Sequence, residues 1–127
     1  MTVLRDAILG GWELSSFTSR DVDTGVVSYP LGRQPRGLIL YTADGYMSAQ
    51  LARRADGGGY IAYGGRFSVD EDTATLRHDV TMSMMPELLR APQFRQVSID
   101  GDRLTLSATA ASDGVTTTHS TLIWDRI

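Results

Sequence analysis

Apolar and polar residues alternate with a period of two along most of this chain, the pattern of strands that bury one face. The exception is the first nine residues, where apolar side chains share one face of a short helix, Thr2 is placed to cap it, and Gly10-Gly11 ends it. No sustained helical period follows. The predicted strands are Trp12–Thr18, Gly25–Tyr29, Gly37–Thr42, Tyr46–Leu51, Tyr60–Val69, Thr73–Met82, Gln93–Ile99, Leu104–Ala110 and Val115–Trp124.

Short turns rich in aspartate and glycine separate most of these strands. They are Asp44-Gly45, Asp70–Asp72, Asp100-Gly101 and Ser112–Gly114. Two longer loops also occur, Arg53–Gly59 and Ser83–Pro92, and the second is predicted to contain a helical turn at Pro86–Leu89.

Eight or nine strands spaced about ten residues apart and joined by tight turns favour an up-and-down antiparallel meander. Closing the meander into a barrel removes two edges that would otherwise pair with other chains. We therefore predict an all-β fold, a closed antiparallel barrel with a short N-terminal helix, formed as one domain by residues 1–127. A sandwich of two sheets is the structural alternative.

His78 lies in the middle of an apolar row of the strand Thr73–Met82. Alternate side chains of a strand share a face, so the even positions of this strand face the interior. Burial disfavours the charged imidazole, which predicts a neutral His78 near pH 7. The inward row is Ala74, Leu76, His78, Val80 and Met82.

The preceding strand is predicted to turn Tyr63, Gly65 and Phe67 inward. Pairing through the acidic turn places Phe67 near Leu76 and Gly65 opposite His78. A glycine there either leaves room for a pocket beside the imidazole or marks a bulge.

Arg95 shares an inward row with Val97 and Ile99. If Asp100-Gly101 is the turn, Val97 pairs with Leu104, and Arg95 pairs with Leu106. A buried arginine is rare unless it is paired, so its partner is a carboxylate, backbone carbonyls near the rim, or an anionic ligand group. A ligand carboxylate would be held in bidentate fashion.

The composition excludes several classes of function. The apolar fraction of 42% and charged fraction of 21% are those of a globular protein, and a net charge of −3 disfavours nucleic acid and anionic membranes as partners. The chain has no cysteine, and all 12 basic residues are arginine, so thiolate and Schiff-base chemistry are excluded. The first residues lack the apolar core of a signal peptide, and no apolar run is long enough to span a membrane, so we predict a cytoplasmic protein.

No catalytic or metal-binding constellation is present in the sequence. There is no Gly-x-Ser-x-Gly motif, and no pair of catalytic carboxylates is indicated. Six acidic residues are predicted in turns, where they accept backbone hydrogen bonds: Asp44, Asp70, Glu71, Asp72, Asp100 and Asp113. The only other histidine, His119, is predicted on an exposed face, away from His78, which argues against zinc. We expect no metal and no cofactor.

The two ends of the chain carry a further signal. Leu9–Leu14 contains Gly-x-Trp, and Thr121–Arg126 ends in an aromatic residue and an arginine. Together with four internal segments, these two ends make the chain resemble the short bacterial and fungal lipocalin-like domain family. The resemblance implies a calycin-type barrel in which Arg126 packs over Trp12 and closes the floor. The other matching segments are Tyr29–Gly32, Gly37–Gln50, Ala62–Phe67 and Gly101–Leu106.

These patterns favour a protein that binds a small, mostly apolar metabolite inside the barrel. The predicted ligand-binding residues are His78, Arg95, Tyr63, Phe67 and Met82. The alternatives are an isomerase or cyclase for a polyketide- or terpenoid-like substrate with His78 as acid or base, a haem-binding barrel, and a packed barrel that acts through protein contacts. For His78 itself, the alternative is a neutral core histidine whose ring nitrogens meet a tyrosine hydroxyl or a backbone group. The sequence names no ligand, and it is compatible with a homo-oligomer.

Overall fold

The structure, a computed structural model, describes residues 3–54, 58–111 and 116–127. Thr2 and the turn predicted at residues 112–114 therefore lie outside the described residues. Within them, no helix is long and apolar enough to cross a lipid bilayer. The elements are α1 (Leu4–Ile8), β1 (Gly10–Asp21), β2 (Val27–Ser28), β3 (Pro35–Tyr41), β4 (Tyr46–Arg53), β5 (Ile61–Asp70), β6 (Thr75–Ser83), a 3-10 turn (Pro86–Leu89), β7 (Gln93–Asp100), β8 (Arg103–Ala111) and β9 (Thr117–Arg126).

The strands form one closed antiparallel barrel. From β3 to β9 each strand pairs with the next, and β1 pairs with β3 on one side and with β9 on the other. These eight strands close the barrel, and the two-residue β2 adds to the far end of β1. The predicted closed barrel is confirmed, and the two-sheet sandwich is excluded.

Helix α1 packs against turns at one end of the barrel. The carboxylate of Glu71, between β5 and β6, accepts hydrogen bonds from the backbone N–H groups of Leu4 at 2.8 Å and Arg5 at 3.0 Å. These are donors of the first helical turn, which have no partner inside the helix. The Arg5 guanidinium donates to the carbonyl of Ala43 in the β3–β4 turn at 3.0 Å.

Arg126 joins the last strand to the first strand and to α1. Its guanidinium carbon lies 4.0 Å from the ring centre of Trp12, a cation–π distance. The same guanidinium donates to the carbonyls of Leu9 at 2.9 Å and Ala7 at 2.7 Å. The Trp12 indole donates to the carbonyl of Ile8 at 2.8 Å, so this end of the barrel is held by hydrogen bonds as well as by packing.

The half of the barrel next to α1, here called the closed half, is filled by side chains. Val69 and Ile99, next to the turns, are half-buried, and the other inward-facing residues of this half are buried. They come from every strand of the barrel, as alternation along closed antiparallel strands requires. They are Trp12, Leu14, Ile39, Tyr41, Met47, Ala49, Phe67, Leu76, Val97, Leu104, Leu106 and Trp124.

The β5–β6 pairing differs from the predicted register. We expected Gly65 opposite His78, but Phe67 lies there. The connection takes in four residues, 71–74, rather than the three acidic ones, and the Asp70 carboxylate accepts hydrogen bonds from two of their N–H groups. Because the error is two residues, the inward and outward faces are unchanged near the turn.

A bulge near the far end of β6 overturns the predicted position of Met82. Gly65 pairs with Val80, but Gly64 pairs with Met82, which leaves Thr81 as an extra residue in β6. An extra residue reverses the alternation beyond it. Met82 therefore points outward and is 75% exposed, so the interior position that we expected for it was wrong.

Gly65 belongs to this bulge rather than to a pocket beside the imidazole. A Cβ atom on Gly65 would lie 2.1 Å from the carbonyl oxygen of Asp79, a distance that no side chain tolerates. The bulge therefore requires glycine because the two backbones approach too closely for any larger residue.

The β7–β8 register is also shifted by two residues from the prediction. Val97 pairs with Leu106 rather than with Leu104, because the two-residue turn is Gly101-Asp102, with Gly101 at a φ of +60°. Arg95 consequently lies beyond Leu106, and the predicted pairing of these two residues was wrong. The inward direction is kept, with Val97 buried and Arg95 half-buried.

Candidate functional site

His78 lies between two tyrosine hydroxyls inside the barrel. Strand β6 turns it inward, and it is 1% exposed. Its Nε2 atom is 2.8 Å from the hydroxyl oxygen of Tyr41, and its Nδ1 atom is 3.1 Å from that of Tyr63. Both ring nitrogens are therefore hydrogen-bonded to phenols, and we refer to Tyr41, His78 and Tyr63 as the Tyr–His–Tyr chain.

Tyr41 was not among the residues singled out from the sequence, because the inward face of β3 depended on the length of the turn that follows it. The turn holds three residues, 43–45, with Thr42 and Tyr46 hydrogen-bonded across it and Gly45 at a φ of +94°. A three-residue hairpin with a glycine in the left-handed region is a common form. It turns Tyr41 and its partner Met47 inward together. A two-residue turn would have turned Tyr41 outward.

Phe67 supports the Tyr–His–Tyr chain from β5. Its ring meets the Tyr41 ring edge-on, with centroids 4.9 Å apart and planes at 73°. On its other side the Arg5 guanidinium carbon lies 5.3 Å from the Phe67 ring centre. Phe67 thus belongs to the closed half and holds Tyr41 in place beneath His78.

Burial sets the protonation states of the three rings. Desolvation, together with the smaller effect of the Arg95 charge, lowers the pKa of His78 from 6.5 to about 3. Desolvation raises the pKa of Tyr41 well above 10 and also raises that of Tyr63, while the Arg95 charge acts in the opposite direction on both phenols. All three groups are uncharged at neutral pH.

Arg95 projects inward from β7 and acts electrostatically on all three rings. Its Nη1 atom donates to the carbonyl of Phe94 at 2.8 Å. Of the partners that the sequence left open, the structure therefore contains a backbone carbonyl. Within residues 3–54, 58–111 and 116–127, no carboxylate forms an ion pair with Arg95.

Most side chains that face inward beyond His78 are less buried than those of the closed half, and the exceptions Pro35 and Leu51 lie on β3 and β4. We call this second region the open half. Leu31, from the loop before β3, is 3% exposed and belongs to the core, so it covers the side of the open half near β4. Partial exposure of inward side chains indicates an interior that solvent reaches. The half-buried inward residues are Phe17, Ser19, Tyr63, Val80, Gln93, Arg95, Ala108, Ser120 and Leu122.

Two further polar features inside the barrel were missed in the sequence. Ser19 and Ser120 hydrogen-bond to each other at 2.8 Å across the β1–β9 seam, and only the closed register brings them together. The indole N–H of Trp124 is buried and has no hydrogen-bond partner among the described residues. An unsatisfied buried donor is uncommon in folded proteins.

The described residues provide few ligands for a metal ion. The described residues contain no group of three or more histidine, cysteine or acidic side chains placed to hold an ion. His119 hydrogen-bonds Thr109 at 2.8 Å on the outer surface, far from His78 in the fold. Haem iron would reach a nitrogen of His78 only by displacing one tyrosine hydroxyl.

A surface groove of about 490 Å³ lies on the outer side of β1, β3 and β4. Arg36, Arg54 and Tyr60 are among its lining residues, and none of the residues predicted to bind a ligand is. The groove and the Tyr–His–Tyr chain are therefore separate features. The chemistry of the interior, rather than this groove, distinguishes the molecule.

Comparison with known proteins agrees with this architecture. A family model described as a lipocalin-like domain matches residues 9–58 and 54–127. A solved structure of a redesigned β-barrel is similar to 100% of this chain over 97% of its own, with 18% sequence identity and a TM-score of 0.53, which supports the fold alone. No curated protein sequence is significantly similar. A lipocalin-like barrel is in general a fold that supports ligand binding, and this chain belongs to the lipocalin-like domain family.

Proposed function

We propose that the open half of the barrel binds one small, mostly apolar molecule. The observation that carries this proposal is the contrast between the two halves. Most inward side chains of the closed half are buried, whereas in the open half the inward side chains of β1 and of β5 to β9 are at most half-buried, and only those of β3 and β4 stay buried. A small eight-stranded barrel has room for one such ligand.

The walls of the open half suit a ligand with an apolar body and one polar end. Phe17, Val80, Ala108 and Leu122 provide apolar surface. Burying such surface against a ligand is favourable by about 25 cal/mol per Å².

The polar end of the ligand would meet Tyr63 and Arg95, with His78 directly beneath. Phe67 contributes by supporting Tyr41 and does not line the open half. Met82 has no part in the proposal because it is on the outer surface.

Binding is better supported than catalysis by an isomerase or cyclase mechanism. A histidine with a pKa of about 3 is a weak base near pH 7, where an efficient general base has a pKa close to the working pH. Both of its nitrogens are also occupied by tyrosine hydroxyls. We propose that the protein acts without a cofactor and in the cytoplasm, which suits a barrel with no disulfide.

Native mass spectrometry of protein purified without added ligand tests the proposal. We expect one small molecule per chain that is released on denaturation. Ala108→Phe, which fills the open half from β8, should abolish the bound mass while the barrel stays folded by circular dichroism. Ser98→Phe on the outer face of β7 is the matched control and should retain it. A wild-type protein that carries no adduct, and takes up none from an apolar metabolite extract, would contradict the proposal.

A further inference from the structure

The Tyr–His–Tyr chain has a direction. A neutral imidazole has one N–H donor and one acceptor nitrogen. If Tyr41 donates its hydroxyl proton to Nε2, then the Nδ1–H donates to the Tyr63 oxygen, and the proton of the Tyr63 hydroxyl remains available. In the opposite direction, the available proton belongs to Tyr41.

Burial decides between these two directions. Tyr41 is 2% exposed, and within the described residues its hydroxyl contacts no hydrogen-bonding atom other than Nε2 of His78. A spare proton on Tyr41 would be a buried donor without an acceptor, which is the costly arrangement. Tyr63 is half-buried at the edge of the open half, where its proton can reach a ligand or water. We therefore infer that Tyr41 donates its proton to Nε2 of His78 and that the Nδ1–H of His78 donates to Tyr63.

Arg95 and Trp124 add further hydrogen-bond donors to the interior of the barrel. Of the five N–H groups of the Arg95 guanidinium, one forms a hydrogen bond within the described part of the chain, to the carbonyl of Phe94. The Trp124 indole N–H has no partner among the described residues. The acidic residue in the inward rows of the described strands is Asp21, at the end of β1, where its carboxylate accepts hydrogen bonds from the N–H groups of Asp23 and Thr24. The interior beside Tyr63 therefore presents hydrogen-bond donors and the positive charge of Arg95, which has no ion-pair partner among the described residues.

We propose that the molecule bound in the open half is an apolar carboxylate, whose oxygens accept hydrogen bonds from the hydroxyl of Tyr63 and the guanidinium of Arg95. This inference rests on the proposed function, since it specifies the chemistry of the ligand for the same site. Arginine matches the planar geometry of a carboxylate, and the phenol adds one directed donor. An alcohol gains no ionic interaction, and an amine is repelled by Arg95.

The direction of the hydrogen bonds is measurable without any ligand. Nitrogen-15 NMR of the imidazole distinguishes a protonated from an unprotonated ring nitrogen. We expect His78 to carry its proton on Nδ1 and to have an unprotonated Nε2. A proton on Nε2 would reverse the chain, leave Tyr63 as a proton donor to His78, and overturn the inference.

Ligand selectivity is tested with three probes of equal length, decanoate, decan-1-ol and decylamine, titrated calorimetrically at pH 7.5. Decanoate should bind about tenfold or more tightly than decanol, as expected for a charge-assisted hydrogen bond, and decylamine should bind most weakly. Arg95→Gln should remove this preference by weakening decanoate about tenfold with little change for decanol. Arg66→Gln, on the outer surface of β5, is the charge control.

Tyr63→Phe removes only the directed hydroxyl and should weaken decanoate about threefold to tenfold, whereas Tyr46→Phe on the outer surface should not. If decanol binds as tightly as decanoate, or if Arg95→Gln has no effect in a folded variant, the carboxylate is the wrong ligand group. If none of the three probes binds, the inference also fails. The mass spectrometry above then decides separately whether the barrel holds another kind of molecule.

Discussion

At the scale of single residues, three polar rings are buried in an otherwise apolar interior without being left unsatisfied. An unpaired buried hydroxyl or imidazole would cost about 1–3 kcal/mol. Here Tyr41 and Tyr63 each satisfy one nitrogen of His78, at 2.8 Å and 3.1 Å. The stability of this arrangement depends on an uncharged imidazole.

The free energy of unfolding should therefore decrease as the pH is lowered and His78 is driven to ionise. The pKa of His78 is about 3 in the folded protein and near 6.5 when unfolded, so between these values the unfolded chain binds the extra proton. The neutral His78 ring contributes fully to stability above pH 6.5, and this contribution is lost as the pH falls toward 3. The imidazole is faced by Tyr41 on β3, Tyr63 on β5 and Arg95 on β7. None of these three side chains becomes negatively charged between pH 3 and 6.5, so none of them stabilises a protonated His78.

The measurement is urea denaturation at pH 7.5, 6.0 and 5.0. We expect the free energy of unfolding to drop by about 1–3 kcal/mol across this range in the wild type, an estimate from the shifted pKa. His78→Gln has no titrating ring, so its stability should be lower at pH 7.5 but should depend less on pH. Parallel pH profiles for the two proteins would contradict a neutral buried His78.

At the scale of secondary structure elements, turn length and bulges decide which side chains meet. The sequence predicted the inward rows of β5 to β8 near their turns, because an error of two residues in register leaves the faces unchanged. It could not predict the partner of His78, which depended on whether the β3–β4 turn held two or three residues. The sequence also could not predict that Met82 points outward, because the extra residue of a bulge interrupts the alternation without a recognisable sequence pattern.

The bulge in β6 gives a sharp test between two adjacent glycines. Gly65→Ala would place a Cβ atom 2.1 Å from the Asp79 carbonyl oxygen, whereas the nearest atom to a Cβ on Gly64 is the Met47 carbonyl oxygen at 3.3 Å. We expect Gly65→Ala to destabilise the protein by about 3 kcal/mol or more and Gly64→Ala by about 1 kcal/mol or less. Thermal unfolding monitored by circular dichroism measures both. Equal losses would mean that the bulge relaxes without cost.

The contact of Arg126 with Trp12 makes a second prediction at this scale. Arg126→Met keeps the apolar stem but removes two hydrogen bonds to carbonyls at the end of α1 and the cation–π contact. We expect a loss of about 2–3 kcal/mol. Arg103→Met removes an exposed ion pair with Asp125 at 3.1 Å and should cost under about 1 kcal/mol. A similar loss for both would contradict a structural role for the Arg126 contact.

At the scale of the whole molecule, the barrel combines a filled half and an accessible half in the same set of strands. The closed barrel followed from strand spacing and tight turns, whereas its floor of Trp12 and Arg126 was expected from the resemblance to the lipocalin-like domain family. The division into two halves did not, because it depends on where the seams, the loop carrying Leu31 and α1 come to lie in three dimensions. Long-range packing of this kind leaves no local pattern.

Hydrogen–deuterium exchange should detect this division. Within β6, amides near Leu76 and His78 are backed by the packed core, whereas those near Met82 lie beyond the bulge. We expect the former to exchange only through global unfolding and the latter at least about tenfold faster. Decanoate should slow exchange in the open half alone. Uniform protection along β6 would contradict the division.

The filled half also fixes how deep a bound molecule can go. Ser83, the last residue of β6, is five positions beyond His78 along the strand. With a rise of about 3.3 Å per residue and a strand tilt of about 40°, the depth from imidazole to rim is about 12 Å. In a homologous series of linear acids, each methylene should therefore add affinity, by up to about 0.8 kcal/mol, until the chain spans this depth. Longer acids should gain nothing further, because their tails emerge into water, and the barrel would thus select its ligands by length.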